Sequence, residues 1–316
     1  CGDLNGDGIG DLLVGLPGSG SYLKEQGSVW LVDGKNANTF WQINGTQSGE
    51  ELGSALAAPG DLNGDGFPDI VVGAPGFRGK AGKECGAVRA FSGKSRELLF
   101  EVEGTKRHGR FGEVLAPVPD IDGDQIPDFI ASSRSSGEVF LISGAFGDVI
   151  HHHEGNAETQ FGFALCSTGD LNSDRIPDYA IGEPRASGAE SECGKVHIYS
   201  GKDGSLMRSI EGVAEGGRLG TSLSPLDIGD PRGGSDLLVG APGKGEGGTC
   251  VLFDPLSGTP LMNFIGSVEA AEAGHSVVGL NLLDPLGNIS SEETQKKGAL
   301  LAFLKSLSGQ IREGLE

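Results

Sequence analysis

Apolar positions along this chain gather in short runs that return in a fixed order. The run "DLLVGLPG" from residue 11 recurs as "DIVVGAPG" at 69, "DFIASSR" at 128, "DYAIGEPR" at 178 and "DLLVGAPG" at 236. Each is apolar without alternation, the pattern of a strand covered on both faces. A second kind of run follows a glycine, as in "GSVWLVDG", "GAVRAFSG", "GEVFLISG" and "GKVHIYSG", and a third closes each unit, as in "FWQING", "LLFEVEG" and "LMRSIEG". A two-residue turn leads each unit except the first: Leu52-Gly53, Phe111-Gly112, Phe161-Gly162, Leu219-Gly220 and Ala273-Gly274. Glycine and proline punctuate the runs, so the pattern predicts many short strands and tight turns.

Four short strands in a unit of about 50 to 60 residues fit one blade of a β-propeller. The expected fold is an all-β propeller of four-stranded antiparallel blades in a single domain over 1–316. Its repeats span 1–45 (incomplete), 46–104, 105–155, 156–212, 213–266 and 267–316. Six repeats are visible. A two-layer sandwich with coincidental similarity is the competing fold, and six copies in register weigh against it.

Composition narrows the function classes. A net charge of −20 opposes nucleic acid, whose phosphates an acidic surface repels, and makes divalent cations natural partners. No apolar stretch is long enough for direct membrane insertion. Five cysteines are too few for a disulfide scaffold. Cys85 and Cys193 precede the third strand of the second and fourth units, so an intervening blade keeps them apart and buried thiols are expected. The chain begins inside a motif, which places any signal peptide upstream.

The loop before each unalternated run carries the chemistry. Starts at Asp3, Asp61, Asp120 and Asp170 align, with a decayed copy at Asp227. Oxygen-bearing side chains stand at positions 1, 3, 5 and 9: Asp3, Asn5, Asp7 and Asp11; Asp61, Asn63, Asp65 and Asp69; Asp120, Asp122, Asp124 and Asp128; Asp170, Asn172, Asp174 and Asp178. The carbonyl of position 7 (Ile9, Phe67, Ile126, Ile176) completes an all-oxygen shell suited to Ca²⁺. Position 9 is the telling one, because an ordinary turn needs no carboxylate there. An EF-hand would carry Glu at position 12, where this chain has Val14, Val72, Ala131 and Ile181. Four structural Ca²⁺ sites in hairpin loops between strands one and two are therefore expected. The fourth should bind more weakly than the second, since Arg175 and Ser173 stand where Gly66 and Gly64 do. The fifth copy, with Gly229 at position 3 and one extra residue, is expected to have lost its metal, and the sixth retains none of the spacing.

These residues resemble the FG-GAP repeats of integrin α-subunit propellers and of secreted bacterial proteins, the bacterial type fitting the repetitive "SGKDGSLMRSIEG" segments better. The resemblance is strongest at "LGSALAAPGDLNGDGFPDIVVGAPG", residues 52–76, where the turn, the cation loop and Gly73-Ala74-Pro75 stand together. It implies a calcium-bearing propeller, commonly seven-bladed, outside the cell or on its surface, acting in adhesion and ligand binding; the six visible repeats would then be a truncated set. Ala131-Ser132-Ser133 departs from Gly-Ala-Pro in the third copy.

Nothing in the sequence isolates a nucleophile with its base, so an enzyme is not expected. His151, His152 and His153 alternate across a strand and cannot converge on one ion. The joins from strand two to three and from strand four to the next unit emerge at the end opposite the cation loops, where recognition is expected. Arg78, Lys80 and Lys83 in one such join, with Lys106, Arg107, His108 and Arg110 in the next, suggest contact with an anionic protein or glycan; ordinary solvated loop charges are the plainer alternative. The leading function is a calcium-stabilised extracellular binding module. The alternative is an accessory or substrate-positioning propeller of a larger secreted enzyme. A lectin with one aromatic platform per repeat is disfavoured by having only Trp30 and Trp41.

Overall fold

The computed structural model describes residues 1–20, 23–226, 234–243, 247–266 and 273–277, and among them every regular element is a strand. Nineteen strands form five antiparallel sheets, each running in chain order from one edge to the other. The first sheet has three strands, β1 (Leu12–Leu16), β2 (Ser28–Val32) and β3 (Thr39–Asn44). The second has β4 (Leu56–Gly60), β5 (Asp69–Ala74), β6 (Ala87–Phe91) and β7 (Leu98–Glu103). The third has β8 (Val114–Val118), β9 (Asp128–Ser133), β10 (Glu138–Ile142) and β11 (Val149–Glu154). The fourth has β12 (Leu165–Gly169), β13 (Asp178–Glu183), β14 (Lys195–Tyr199) and β15 (Leu206–Glu211). The fifth has β16 (Ser222–Leu226), β17 (Asp236–Ala241), β18 (Thr249–Asp254) and β19 (Thr259–Ile265). The expected sixth repeat lies outside the described residues except at 273–277.

The chain forms two compact units, Cys1–Ser167 with Gly201–Ser205, and Thr168–Ser200 with Leu206–Glu316. In the first unit the sheets pack face to face. Val29, Leu31 and Ile43 meet Ile70, Val72, Ala74 and Ala87, and Trp41 stands edge-on to Phe91 with centroids 6.2 Å apart. At the next joint Val71, Val88 and Ala90 meet Phe129, Ala131, Phe140 and Ile142, with Phe100 stacked on Phe129 at 6.3 Å. This two-sided cover explains why β5 and β9 are buried along their whole length. The sequence run that becomes β1 predicts the same burial, but β1 is the edge strand of a three-stranded sheet, and Leu12 there is 58 % exposed.

The leading turns and the Gly-Ala-Pro runs need each other. Gly53 and Gly112 have φ of 91° and 90°, a region open to glycine. Their carbonyl oxygens lie about 2 Å from where a Cβ on Gly15 or Gly73 would stand, so both partners must be glycine. Gly53 also donates its N–H to the Gly73 carbonyl at 2.9 Å. Isolated parallel bridges, Gly27 to Leu52 and Gly86 to Phe111, fasten each turn to the preceding sheet.

The third copy breaks this rule at a measurable cost. Ser132 takes the glycine position, is fully buried, and its hydroxyl has no hydrogen-bond partner among the described residues. Its side chain presses on Gly162, whose Cβ position is 3.0 Å from Ser132 Cβ. An unmet buried hydroxyl costs about 1 to 3 kcal/mol. Ser132→Ala should therefore raise the melting temperature by roughly 2 to 4 °C, measured by calorimetry; a lower value would show that the hydroxyl is satisfied.

Candidate metal centre

Three of the predicted cation loops join the first and second strands of their sheets: 61–68 between β4 and β5, 119–127 between β8 and β9, and 170–177 between β12 and β13. The loop at 3–10 leads into β1. Its carboxylates organise the backbone. Asp3 Oδ1 accepts the N–H groups of Gly6 and Asp7 at 2.7 and 3.1 Å, and Oδ2 accepts that of Gly8 at 2.7 Å. Asn5 Oδ1 takes the Asp7 N–H, and Asp7 Oδ1 the Ile9 N–H, both at 3.0 Å. The second loop repeats this, with Asp61 accepting from Gly64, Asp65 and Gly66. Successive side-chain turns curl the chain so that positions 1, 3 and 5 share one side.

The amides set the charge state of position 1. The Gly8 amide, with those of Gly6, Asp7 and Asn5, holds Asp3 below the usual carboxylate range despite some desolvation. Burial pushes Asp61 up, but the amides of Gly66, Asp65, Gly64 and Asn63 together outweigh it and leave Asp61 low as well. In the third loop the ligand oxygens of Asp120, Asp122 and Asp124 lie within 4.8 Å of one another. Oxygen–metal distances of about 2.3 to 2.6 Å span that gap, so an all-oxygen set of this size fits Ca²⁺. Asn takes position 3 in the other three loops. Two of the loops also meet a lysine: Lys35 Nζ stands 3.8 Å from Asp7 Oδ2, and Lys94 Nζ donates to the Asp65 carbonyl at 3.1 Å.

Position 9 has a role that sequence reasoning missed. Asp11, Asp69, Asp128 and Asp178 open or immediately precede the second strand and are buried. One oxygen of each accepts the position-2 N–H: Leu4 at 2.9 Å, Leu62 at 2.7 Å, Ile121 at 2.8 Å and Leu171 at 2.9 Å. In the first three sheets the other oxygen accepts a glycine N–H in the turn after β2, β6 or β10: Gly34 at 3.1 Å, Gly93 at 2.9 Å and Gly144 at 3.0 Å. The carboxylate thus ties the cation loop to the neighbouring turn of its own sheet before any ion binds. At Asp69 and Asp128 each oxygen keeps a second lone pair for a cation, whereas both oxygens of Asp11 also accept from Asn5, through its N–H and its side-chain amide. Burial pushes Asp69 up and Asp128 up to about 6, against the glycine and position-2 amides. The signal was present in the sequence: Asp236 persists in the fifth copy although the rest of that loop has decayed, and it too is buried. Residues 227–233 of that loop lie outside the described residues.

Position 2 is a second missed feature. Leu4, Leu62, Ile121 and Leu171 are all buried. Leu4 reaches the Gly93 turn of the next sheet and Leu62 the Gly144 turn, where the Pro68 and Pro127 carbonyls leave no room for a Cβ. The first two cation loops therefore sit at sheet-to-sheet joins.

The loops differ as the sequence indicates. Positions 4 and 6 have positive φ throughout: Gly6, Gly8, Gly64, Gly66 and Gly123 adopt it freely, whereas Gln125, Ser173 and Arg175 adopt it at 73°, 65° and 73°. A non-glycine residue there costs about 1 kcal/mol. The double change Ser173→Gly and Arg175→Gly should therefore tighten calcium at the fourth loop about five- to thirtyfold when the strain is imposed on binding. If it is not, the gain appears instead as metal-free stability; titration calorimetry beside a calcium-free melt checks both.

The histidine run behaves as its alternation predicts. His152 stacks on Phe140 at 4.3 Å and meets Glu138 Oε1 at 3.2 Å, while His151 Nε2 lies 2.8 Å from the Gly201 carbonyl. Burial, with His151 and His152 nearby, lowers His153 to about 4. Glu138, His152 and Glu154 do cluster, but Lys106 Nζ already supplies their cation, 3.2 and 2.9 Å from the two carboxylates. All five cysteines are free, with Cys85 and Cys193 buried.

The structure brings the two basic joins side by side. His108 donates its N–H to the Lys83 carbonyl at 3.0 Å, and Arg110 to that of Glu84 at 2.9 Å. Five of the seven cations are engaged by carboxylates: Lys80 with Glu103, Lys83 and His108 with Glu84, Lys106 with Glu138 and Glu154, and Arg110 with Glu51 and Glu113. Arg78 and Arg107 alone enter no ion pair among the described residues.

Comparison with known proteins agrees with this geometry. A family model described as FG-GAP repeat matches residues 2–32 and 52–83. Integrin alpha-V of Gallus gallus is 31 % identical over 204 residues, covering 57 % of this chain and 19 % of that protein. Integrin alpha-PS2 of Drosophila melanogaster is 32 % identical over 183 residues, covering 50 % and 12 %. The matched region is thus a fifth or less of these curated relatives. Among solved structures, Saccharomyces cerevisiae Sqt1 aligns with a TM-score of 0.55 at 12 % identity, over 81 % of this chain and 59 % of that one. At that identity the likeness carries the β-propeller fold class alone.

Proposed function

We propose that this chain, which matches the FG-GAP repeat at residues 2–32 and 52–83 and is similar to integrin α subunits, is a calcium-stabilised adhesion or ligand-binding module outside the cell or on its surface. Four Ca²⁺ ions would be held by the side chains of positions 1, 3, 5 and 9 and the carbonyl of position 7. The ion would supply charge neutralisation and cross-linking, with no reaction. The observation that carries the reading is the repetition of these oxygen-rich loops, each over a buried position-2 side chain, the first two of them reaching the next sheet. Binding would fall to loops at the opposite strand ends, where Arg78 and Arg107 have no carboxylate to satisfy them. Such cations suit an acidic protein or glycan segment, and a single arginine–carboxylate contact of good geometry supports recognition more than bulk affinity.

A screen of matrix proteins and acidic glycans with and without Ca²⁺ tests this. Capture that requires Ca²⁺ and weakens at least fivefold in the Arg78→Ser, Arg107→Ser variant is the expected result. Capture unchanged in that variant would move the contact to other loops, and capture indifferent to Ca²⁺ would separate binding from the metal sites.

A further inference from the structure

The second unit contains a cavity of about 770 Å³ between β15 of the fourth sheet and β18 and β19 of the fifth. In the first unit the corresponding joints are packed, and the register shows a difference here. Trp41 lies opposite Leu31 and Phe100 opposite Ala90; the same outer-strand position, opposite Ile198, is Arg208. On the facing sheet Phe140 stands between Ala131 and His152, and its counterpart between Val239 and Asn263 is Val251. Phe100 and Phe140 belong to one packed cluster in the first unit. Replacing that pair by Arg208 and Val251 withdraws two rings from the joint and leaves the groove.

Its walls are apolar, chiefly Ile210, Leu219, Val251 and Phe253. Its charged groups are Arg208 and Glu211, and Glu211 is held by Lys195 at 2.7 Å. Arg208 has no carboxylate partner among the described residues. Its Cδ and Nη1 lie 3.4 and 3.5 Å from the position of a Cβ on Gly258, in the β18–β19 turn, so the guanidinium reaches across the gap. Val213, at the rim, is 93 % exposed. A cavity of this size, with mainly apolar walls, a few polar side chains such as Thr249 and Asn263, and one cation without a carboxylate partner, has the character of a small-molecule site. In a chain of net charge −20, an unpaired cation over an apolar slot selects a ligand that is apolar along its body and anionic at one end. We propose that this groove binds a small amphipathic carboxylate, its apolar tail on Val251 and Phe253 and its carboxylate on Arg208.

Isothermal titration with decanoate, kept below its micelle concentration, tests the assignment on the full chain with calcium present. Saturable binding to one site is expected, weakened at least tenfold by Arg208→Gln, while uncharged decanol binds both proteins alike. Val251→Phe, which restores the ring found at Phe140, should abolish binding of both with the melting temperature unchanged or raised. Should that variant fail to fold, Asn263→Phe, on the same face of the outer strand, should block the groove. Absence of saturable binding to the unaltered protein, or decanoate affinity unaffected by Arg208→Gln or by the filled groove, would overturn the proposal.

Discussion

Asp69→Ala is expected to lower the melting temperature by roughly 4 to 10 °C in calcium-free buffer. The carboxylate is fully buried and accepts two backbone N–H groups, from Leu62 at 2.7 Å and Gly93 at 2.9 Å. Its removal leaves both donors without an acceptor, at about 1 to 3 kcal/mol each. Part of that loss is offset, because burial disfavours the ionised carboxylate and pushes its pKa up. The net is about 2 to 4 kcal/mol, which sets the temperature shift for a chain of this length. Asp69→Asn separates the two roles of the residue. It keeps one acceptor and discards the buried charge, so the metal-free melt should move by less than about 1 kcal/mol. The calcium increment of the second loop should nevertheless disappear. Asp236→Ala supplies the control: its loop lacks the cation pattern, so its loss should be the same with and without calcium. An Asp69→Ala protein that melts normally without calcium would mean the tie is dispensable.

Much of this architecture is written in local sequence because each unit is repeated. The unalternated run at 69–74 reads as a doubly covered strand, and β5 is one. The turn at Leu52-Gly53 and the glycine at Gly73 can be recognised as a pair by recurrence alone. What recurrence could not supply is the physical reason for the pairing, which is a backbone approach visible only across two sheets. The same limit applies at position 9. Read along the chain, Asp69 is another oxygen at ligand spacing; its glycine partner stands 24 residues away, at Gly93. Burial of β1 was misjudged for a related reason, since an apolar run does not announce whether a neighbouring strand will cover its edge. The basic joins were legible as a charge cluster, but their neutralisation was not. Glu51 and Glu103 lie far along the chain from Arg110 and Lys80, and even Glu84, next to Lys83, meets His108 of the other join only in three dimensions.

Removing calcium should have the largest effect on the whole chain, and its size should depend on pH in a direction the carboxylates determine. With calcium at ten times the Kd of each site, binding adds about 1.4 kcal/mol per site, so four sites add about 6 kcal/mol and stripping them lowers the melt by roughly 10 °C or more. Asp128 governs the pH dependence of the third loop. Burial raises its pKa to about 6 in the metal-free chain, above the usual value of 3.8. The folded state therefore holds this proton more tightly than the unfolded state does. Ionisation of Asp128 costs stability above about pH 6, and that cost disappears as pH falls toward 3.8. Calcium requires the ionised form, so binding at this loop displaces a proton below pH 6 and its affinity should fall by about tenfold per pH unit there. Asp3, held low by the Gly8 amide, should keep its ion under the same conditions unless Asp11 is lost. The gap between calcium-loaded and calcium-stripped melts should accordingly narrow from pH 7 to pH 5, without a matching fall in the stripped melt from Asp128 itself. A gap that stays constant across that range would mean that Asp128 is not among the groups that hold the ion, leaving it only the tie between Ile121 and Gly144.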